Sequence, residues 1–311
     1  MRFRFTTAAT VTALVLATVP STAQAAAPDD CAWTPTVLPG HAGSRPGGVT
    51  GVSPDGTVAV GEGRTDGPIV GVEWFGTTPV KMNDVAPGVG NAPADVNNSR
   101  YVAGYTWNEA TGESRPYKYR GLNYQILPVP AGLHGVATDI NEAGDVAGWA
   151  VDYDTGATTA LFWPASAPRT FVVVGPGQPV GLDDAGRVVT NRGLIWSPDG
   201  TTRTIKQRRD AKPQKYADGR IAGWGSTAGK WEAVEWNLDG NVTRVVPGVQ
   251  SVEGVNSRGT IVGFGDTGSA IWSDTTPQPI SGFLNGVNAA NTAFGTFEVD
   301  GEVASAIYTC A

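Results

Sequence analysis

Two cysteines, two histidines and two methionines are spread over 311 residues, and charged residues make up only 16% of the chain. With so little histidine and cysteine, no spacing forms a metal site, and a catalytic triad would have to draw on His41 or His134. The positive surplus that nucleic acid or an anionic membrane surface requires is missing, since the formal net charge is −7. No phosphate-cradling loop is present either, because the glycine runs sit in strand turns and not ahead of helices. Helical periodicity is absent throughout. The apolar stretch from Ala8 to Val19 falls short of the ~20 residues that a membrane span needs. Preceded by Arg2 and Arg4 and followed by Ala23-Gln24-Ala25, it reads as a signal peptide over residues 1–25, cleaved after Ala25; an uncleaved anchor is the alternative. Residues 26–311 are then expected as one secreted, monomeric domain with no membrane span and no nucleic-acid partner, more acidic still once the two arginines are gone.

What the chain has in quantity is glycine (42), proline (22) and tryptophan (10), within 41% hydrophobic residues. That balance suits many short strands joined by tight turns, with ample material for a core. A motif recurs seven times, most fully as Asp139-Ile140-Asn141-Glu142-Ala143-Gly144-Asp145-Val146-Ala147-Gly148-Trp149. Its polar turn residue aligns as Ser53, Asn97, Asn141, Asp183, Tyr216, Asn256 and Asn288, spaced 32 to 44 residues apart. Three places later stand Gly56, Arg100, Gly144, Gly186, Gly219, Gly259 and Asn291. Glycine and asparagine tolerate positive φ, so each copy reads as a hairpin; at Arg100 the turn is expected to fall on Asn97 and Asn98 instead.

A short β-prone stretch follows each turn, such as Val102-Ala103-Gly104, then a loop and a strand ending in Trp74, Tyr119, Trp163, Trp196, Trp236, Trp272 or Tyr308. A fourth apolar strand completes most copies, as over Phe171–Val174. Four strands per copy at this spacing predict an all-β, seven-bladed β-propeller, with a parallel β-helix as the structural rival. The seventh copy stops after its third strand. The segment from Cys31 to Gly40 precedes the first hairpin and matches the fourth strands elsewhere, so the N-terminal strand is predicted to complete the last blade. Cys31 and Cys310 would then face each other where other blades have a covalent turn. A disulfide is expected there, against the reading of two unrelated thiols.

The Asp-Ile-Asn-x-x-Gly-x-Val-x-Gly pattern appears at Asp95–Gly104, Asp139–Gly148, Gly254–Gly263 and Gly286–Gly295. A later strand is Ala160-Leu161-Phe162-Trp163 or Ala270-Ile271-Trp272. Together they resemble the extracellular repeat family named for a His-Ala-Phe signature. Thr159 and Ser269 stand where that histidine would be. The resemblance implies export and a repeat fold, and it carries no functional residues over.

For chemistry, Asp95 and Asp139 hold equivalent places near the predicted ring axis, with Glu253 close by; Gly51, Gly181, Gln214, Gly254 and Gly286 stand there in the other copies. Such carboxylates can bind a cation or act as an acid–base pair with His134, or simply bond to neighbouring backbone. The aromatics Tyr105, Trp149, Trp224 and Phe264 hold matching positions in four copies. With Trp107, Tyr153 and Trp231 they form the candidate binding surface, because aromatic faces stack on sugars and other flat ligands; inter-blade packing is the alternative. The strand-ending tryptophans Trp163, Trp196, Trp236 and Trp272 are expected in the core. The basic run Lys206–Lys215 reads as a solvated loop. These features favour a non-enzymatic module that binds a small molecule, glycan, peptide or surface protein without a cofactor. An extracellular hydrolase or lyase and a structural envelope protein are the alternatives.

Overall fold

The computed structural model describes residues 32–206, 210–299 and 301–310. They form seven four-stranded antiparallel sheets, each a blade. The innermost strands of blades 1 to 7 are Arg45–Val52, Val89–Val96, His134–Ile140, Pro179–Leu182, Lys212–Ala217, Val249–Val255 and Leu284–Val287. In blades 1 to 6 the strands follow chain order outward, which antiparallel hairpins permit without crossovers. Blade 7 differs. Its outermost strand is Trp33–Leu38, paired with Glu302–Cys310 from Trp33 opposite Cys310 to Leu38 opposite Ser305. The N-terminal strand therefore completes the last blade and closes the ring. Cys31 lies outside the described residues, and Cys310 ends the strand it would have to reach.

Each interface between blades has its own apolar cluster. Trp163 and Leu161 of blade 3 pack with Ala103 and Leu127 of blade 2; Trp272 and Val252 of blade 6 pack with Ala222 and Val246 of blade 5. Trp74, Trp163, Trp236 and Trp272 are each 1% exposed, so the third-strand aromatics are core residues. Their polar edges also bond. The indole N–H of Trp74 donates to the carbonyl of Pro39, that of Trp163 to Pro128 and that of Trp236 to Lys206, while the Tyr308 hydroxyl donates to Ser281. In each case the acceptor lies in the linker that leaves the preceding blade, so one side chain fills the interface and fixes the chain's entry to it.

The repeat motif serves the same interfaces. The Asn97 amide donates to the carbonyl of Asn141, Asn141 to that of Asp183, Asn256 to that of Asn288, and Asn288 to that of Ser53 across the closure. Each asparagine also accepts from its own hairpin, as Asn141 Oδ1 does from the Asp145 N–H at 2.8 Å. Residues just after it add a second line of bonds across blades 1 to 4: the backbone N–H of Asp55 donates to Asn98, that of Asn98 to Glu142, and that of Glu142 to Asp184.

Two turn assignments change. Arg100 itself takes the left-handed conformation (φ 60°), with its guanidinium over the Phe75 ring, so the turn does not shift onto Asn97 and Asn98. In blade 5 the hairpin is one residue shorter, with Ala217 opposite Arg220. Tyr216 pairs with Ile221, the register that Val96 and Ile140 hold with Val102 and Val146. Tyr216 is therefore not the polar turn residue of its blade; Ala217 takes that place. The Tyr216 hydroxyl donates to Asp183, linking blades 5 and 4 where no asparagine amide is available.

Candidate functional site

Every innermost strand carries a bulge just before the hairpin, at Thr50, Ala94, Thr138, Val180, Gln214, Glu253 and Asn285. The extra residue bends the strand and turns the following one toward the axis. Those following residues are Gly51, Asp95, Asp139, Gly181, Lys215, Gly254 and Gly286. The position matching the two aspartates in blade 5 is thus Lys215, not Gln214, a consequence of the shortened hairpin. Glycine recurs here because the blades crowd: a Cβ at Gly51 would lie 2.8 Å from the Asp95 Cα. Asp95 and Asp139 stand near the ends of their strands.

All of the residues that follow the bulges, except Gly51, line an axial cavity of about 430 Å³ that extends to Glu142, Asp184 and Asp218 at the hairpin turns. Asp95 Oδ2 accepts from the Ile140 N–H at 3.1 Å and Asp139 Oδ2 from the Leu182 N–H at 2.8 Å, each across to the next blade. Gln214 does the same for Val252. Burial raises the Asp95 carboxyl above its ordinary range. Burial raises Asp139 further, helped by the Asp95 carboxylate within hydrogen-bonding reach, so Asp139 is the member of the pair that keeps its proton. Burial lowers the Lys215 amine, opposed by Glu253 and Asp139. Among the described residues no group of three or more His, Cys, Asp or Glu is arranged to hold a metal ion.

His134 opens the innermost strand of blade 3, five residues before Asp139, which on an extended strand is roughly 16 Å. The two do not meet. The His134 Nδ1 accepts from the Ser114 N–H at 3.3 Å, and its ring lies 4.4 Å from that of Tyr153.

The aromatic set occupies the opposite face from the hairpin turns. Tyr105, Trp149, Trp224 and Phe264 lie within the second strands of blades 2, 3, 5 and 6, opposite Ala92, Val136, Lys212 and Ser251 of the innermost strands. Phe264 is 42% exposed, Trp231 42% and Tyr153 58%; Tyr105, Trp107, Trp149 and Trp224 are half-buried. Trp224 and Trp231 meet edge to face at 5.0 Å. Burial raises the Tyr105 hydroxyl above its ordinary range, with Glu62 and Tyr153 adding to it.

Sequence reasoning missed Phe283, at 65% the most exposed phenylalanine among the described residues, because it sits in a linker that the motif does not cover. It also missed the site value of the basic run. Residues 212–215 form part of the innermost strand of blade 5 and not a solvated loop, while residues 207–209 lie outside the described set.

The fold and its axial cavity define a class, the seven-bladed β-propellers closed by strand exchange between the chain's ends. No protein-family model matches the sequence, and none of the curated proteins does. Among solved structures the chain is similar to a prolyl endopeptidase, at 11% identity over 83% of this chain and 42% of that one (TM-score 0.51). It is also similar to YCF48 bound to D1 peptide, at 13% identity over 90% and 95% (TM-score 0.48), and to TolB from Acinetobacter baumannii, at 10% identity over 84% and 63% (TM-score 0.44). At these identities the likeness is one of fold.

Proposed function

We propose that this chain is a secreted, non-enzymatic binding propeller that captures a glycan, peptide or surface partner on its aromatic face. The observation that carries the reading is the division of labour among the large aromatics. The third-strand tryptophans are buried, and Trp74, Trp163 and Trp236 are also bonded into the ring, whereas Tyr153, Trp231 and Phe264 keep about half of their surface open on one face. Exposed rings beside half-buried partners offer stacking area at little cost in side-chain entropy. The carboxylates, by contrast, are engaged by the ring: Asp95 and Asp139 each bond to the next blade, and His134 is far from both.

A mixed array of glycans and peptides probed with the wild-type protein and with Trp107→Ala and Tyr153→Ala variants tests this. The reading expects a defined set of ligands, captured at least about tenfold more weakly by the variants with unchanged melting. A blank array, or capture indifferent to both substitutions, would remove it. Turnover of any array ligand that disappears in Asp139→Asn would favour the hydrolase or lyase instead.

A further inference from the structure

Blade 4 interrupts the aromatic series. Its second and third strands, Val188–Thr190 and Leu194–Trp196, are three residues each, and the loop between them is Asn191-Arg192-Gly193. Counting from the hairpin register, Asn191 stands where blades 2, 3, 5 and 6 place Tyr105, Trp149, Trp224 and Phe264. The shortened blade leaves a hollow of about 570 Å³ between blades 4, 5 and 6, lined by Arg192, Lys212, Lys215 and Glu253. Arg192 and Lys212 are exposed. Neither Arg192 nor Lys212 makes a side-chain hydrogen bond or ion pair among the described residues. Lys215 is balanced by Glu253 and, in the axial cavity, by Asp139, so the hollow's one carboxylate is taken up and Arg192 and Lys212 have none among the lining residues.

Lys212 stands directly opposite Trp224 in the blade 5 register, so both side chains leave the same side of that sheet. Trp231 meets Trp224 edge to face. Cations and stacking rings are therefore side by side, with further rings one blade away on either side. From this juxtaposition we propose that the hollow beside blade 4 is an anion subsite, and that the partner of the aromatic face is an acidic saccharide. Its carboxylate would sit on Arg192 and Lys212 while neighbouring sugar rings lie against Trp231 and Trp224. A guanidinium suits a carboxylate because its donors match the two oxygens. Rings repeated from blade to blade suit a polymer of like units better than a peptide of varied side chains. Long-range attraction contributes little, since the protein's overall charge repels a polyanion; selectivity must come from the hollow itself.

The saccharide part of this inference rests on the aromatic-face reading; the anion subsite does not. Calorimetry with tetragalacturonate, a neutral galactose tetramer and polyglutamate separates them, using the wild type, the double variant Arg192→Gln/Lys212→Gln, and Trp231→Ala. Tetragalacturonate should bind about tenfold tighter than the neutral tetramer, with that preference lost in the double variant and both sugars weakened by Trp231→Ala. Equal binding of the two tetramers would overturn the anion subsite while leaving the aromatic face in place. Polyglutamate binding as tightly as tetragalacturonate, insensitive to Trp231→Ala, would overturn the saccharide assignment while leaving the subsite. No binding of any of the three would overturn the whole proposal, and the glycan and peptide array then judges the aromatic face by itself.

Discussion

Asn141 shows what one position of the motif does. Buried at 4%, it accepts from its own hairpin at Asp145 and donates to the Asp183 carbonyl of the next blade. Removing the amide leaves buried backbone groups without partners, each costing about 1–3 kcal/mol. Asp139, two residues earlier, is the pH-sensitive member. Its carboxyl is raised in the folded state, so the native protein holds that proton to higher pH than the unfolded chain does. The sign follows: below the unfolded carboxyl range near pH 4 the group leaves stability unchanged, and stability is lost as pH rises from there through the raised native value. Asp95, Lys215 and Glu253 face the same channel, so the profile belongs to the cluster. Asp139→Asn keeps an acceptor for the Leu182 N–H and carries no charge. Denaturant melts from pH 4 to 8 should show a flatter stability profile and a gain at the neutral end; a steeper profile would refute the assignment.

At the scale of the strand pair, the motif's last glycine is set by close approach. A Cβ at Gly148 would run into the carbonyl oxygen of Val136, where the innermost strand is about to bulge. Gly148→Ala should therefore cost about 2–3 kcal/mol, read as a lower denaturation midpoint at an unchanged slope; a neutral effect would mean that the bulge can move. The repeat spacing and turn chemistry made the hairpins legible in the sequence: the six predicted Gly and Asn turn positions have positive φ, and so does Arg100, where the turn was expected to shift. The blade 5 hairpin was not legible, because aligning on Gly219 hides a one-residue deletion that the register alone reveals. That slip concealed Lys215 as the channel partner of the aspartates. The aromatic face was readable as equivalent positions, but not its exposure, since strand-interior aromatics pack or protrude according to the neighbouring blade. The hollow was invisible to motif reasoning: it arises from what blade 4 lacks.

For the whole molecule, the ring closes through the Trp33–Leu38 strand, the Leu38 side chain buried against Trp74 and Val49, and the Asn288 amide on Ser53. We propose that a Cys31–Cys310 disulfide covalently secures this junction. In the loop-entropy account it would add about 5 kcal/mol for so long a loop. Intact mass should rise by about two units on reduction, and the melting temperature of the reduced protein should fall; an unchanged mass would exclude the bond. The larger claim is that the repeat residues hold the ring together while the aromatic face does the binding. Its most direct test measures melting and ligand capture together on Asn141→Ala and Trp231→Ala, using the ligands that the array selects. The account predicts a melting temperature several degrees lower with capture retained for Asn141→Ala, and capture lost with melting retained for Trp231→Ala. The opposite pattern, or loss of both properties in both variants, would contradict it.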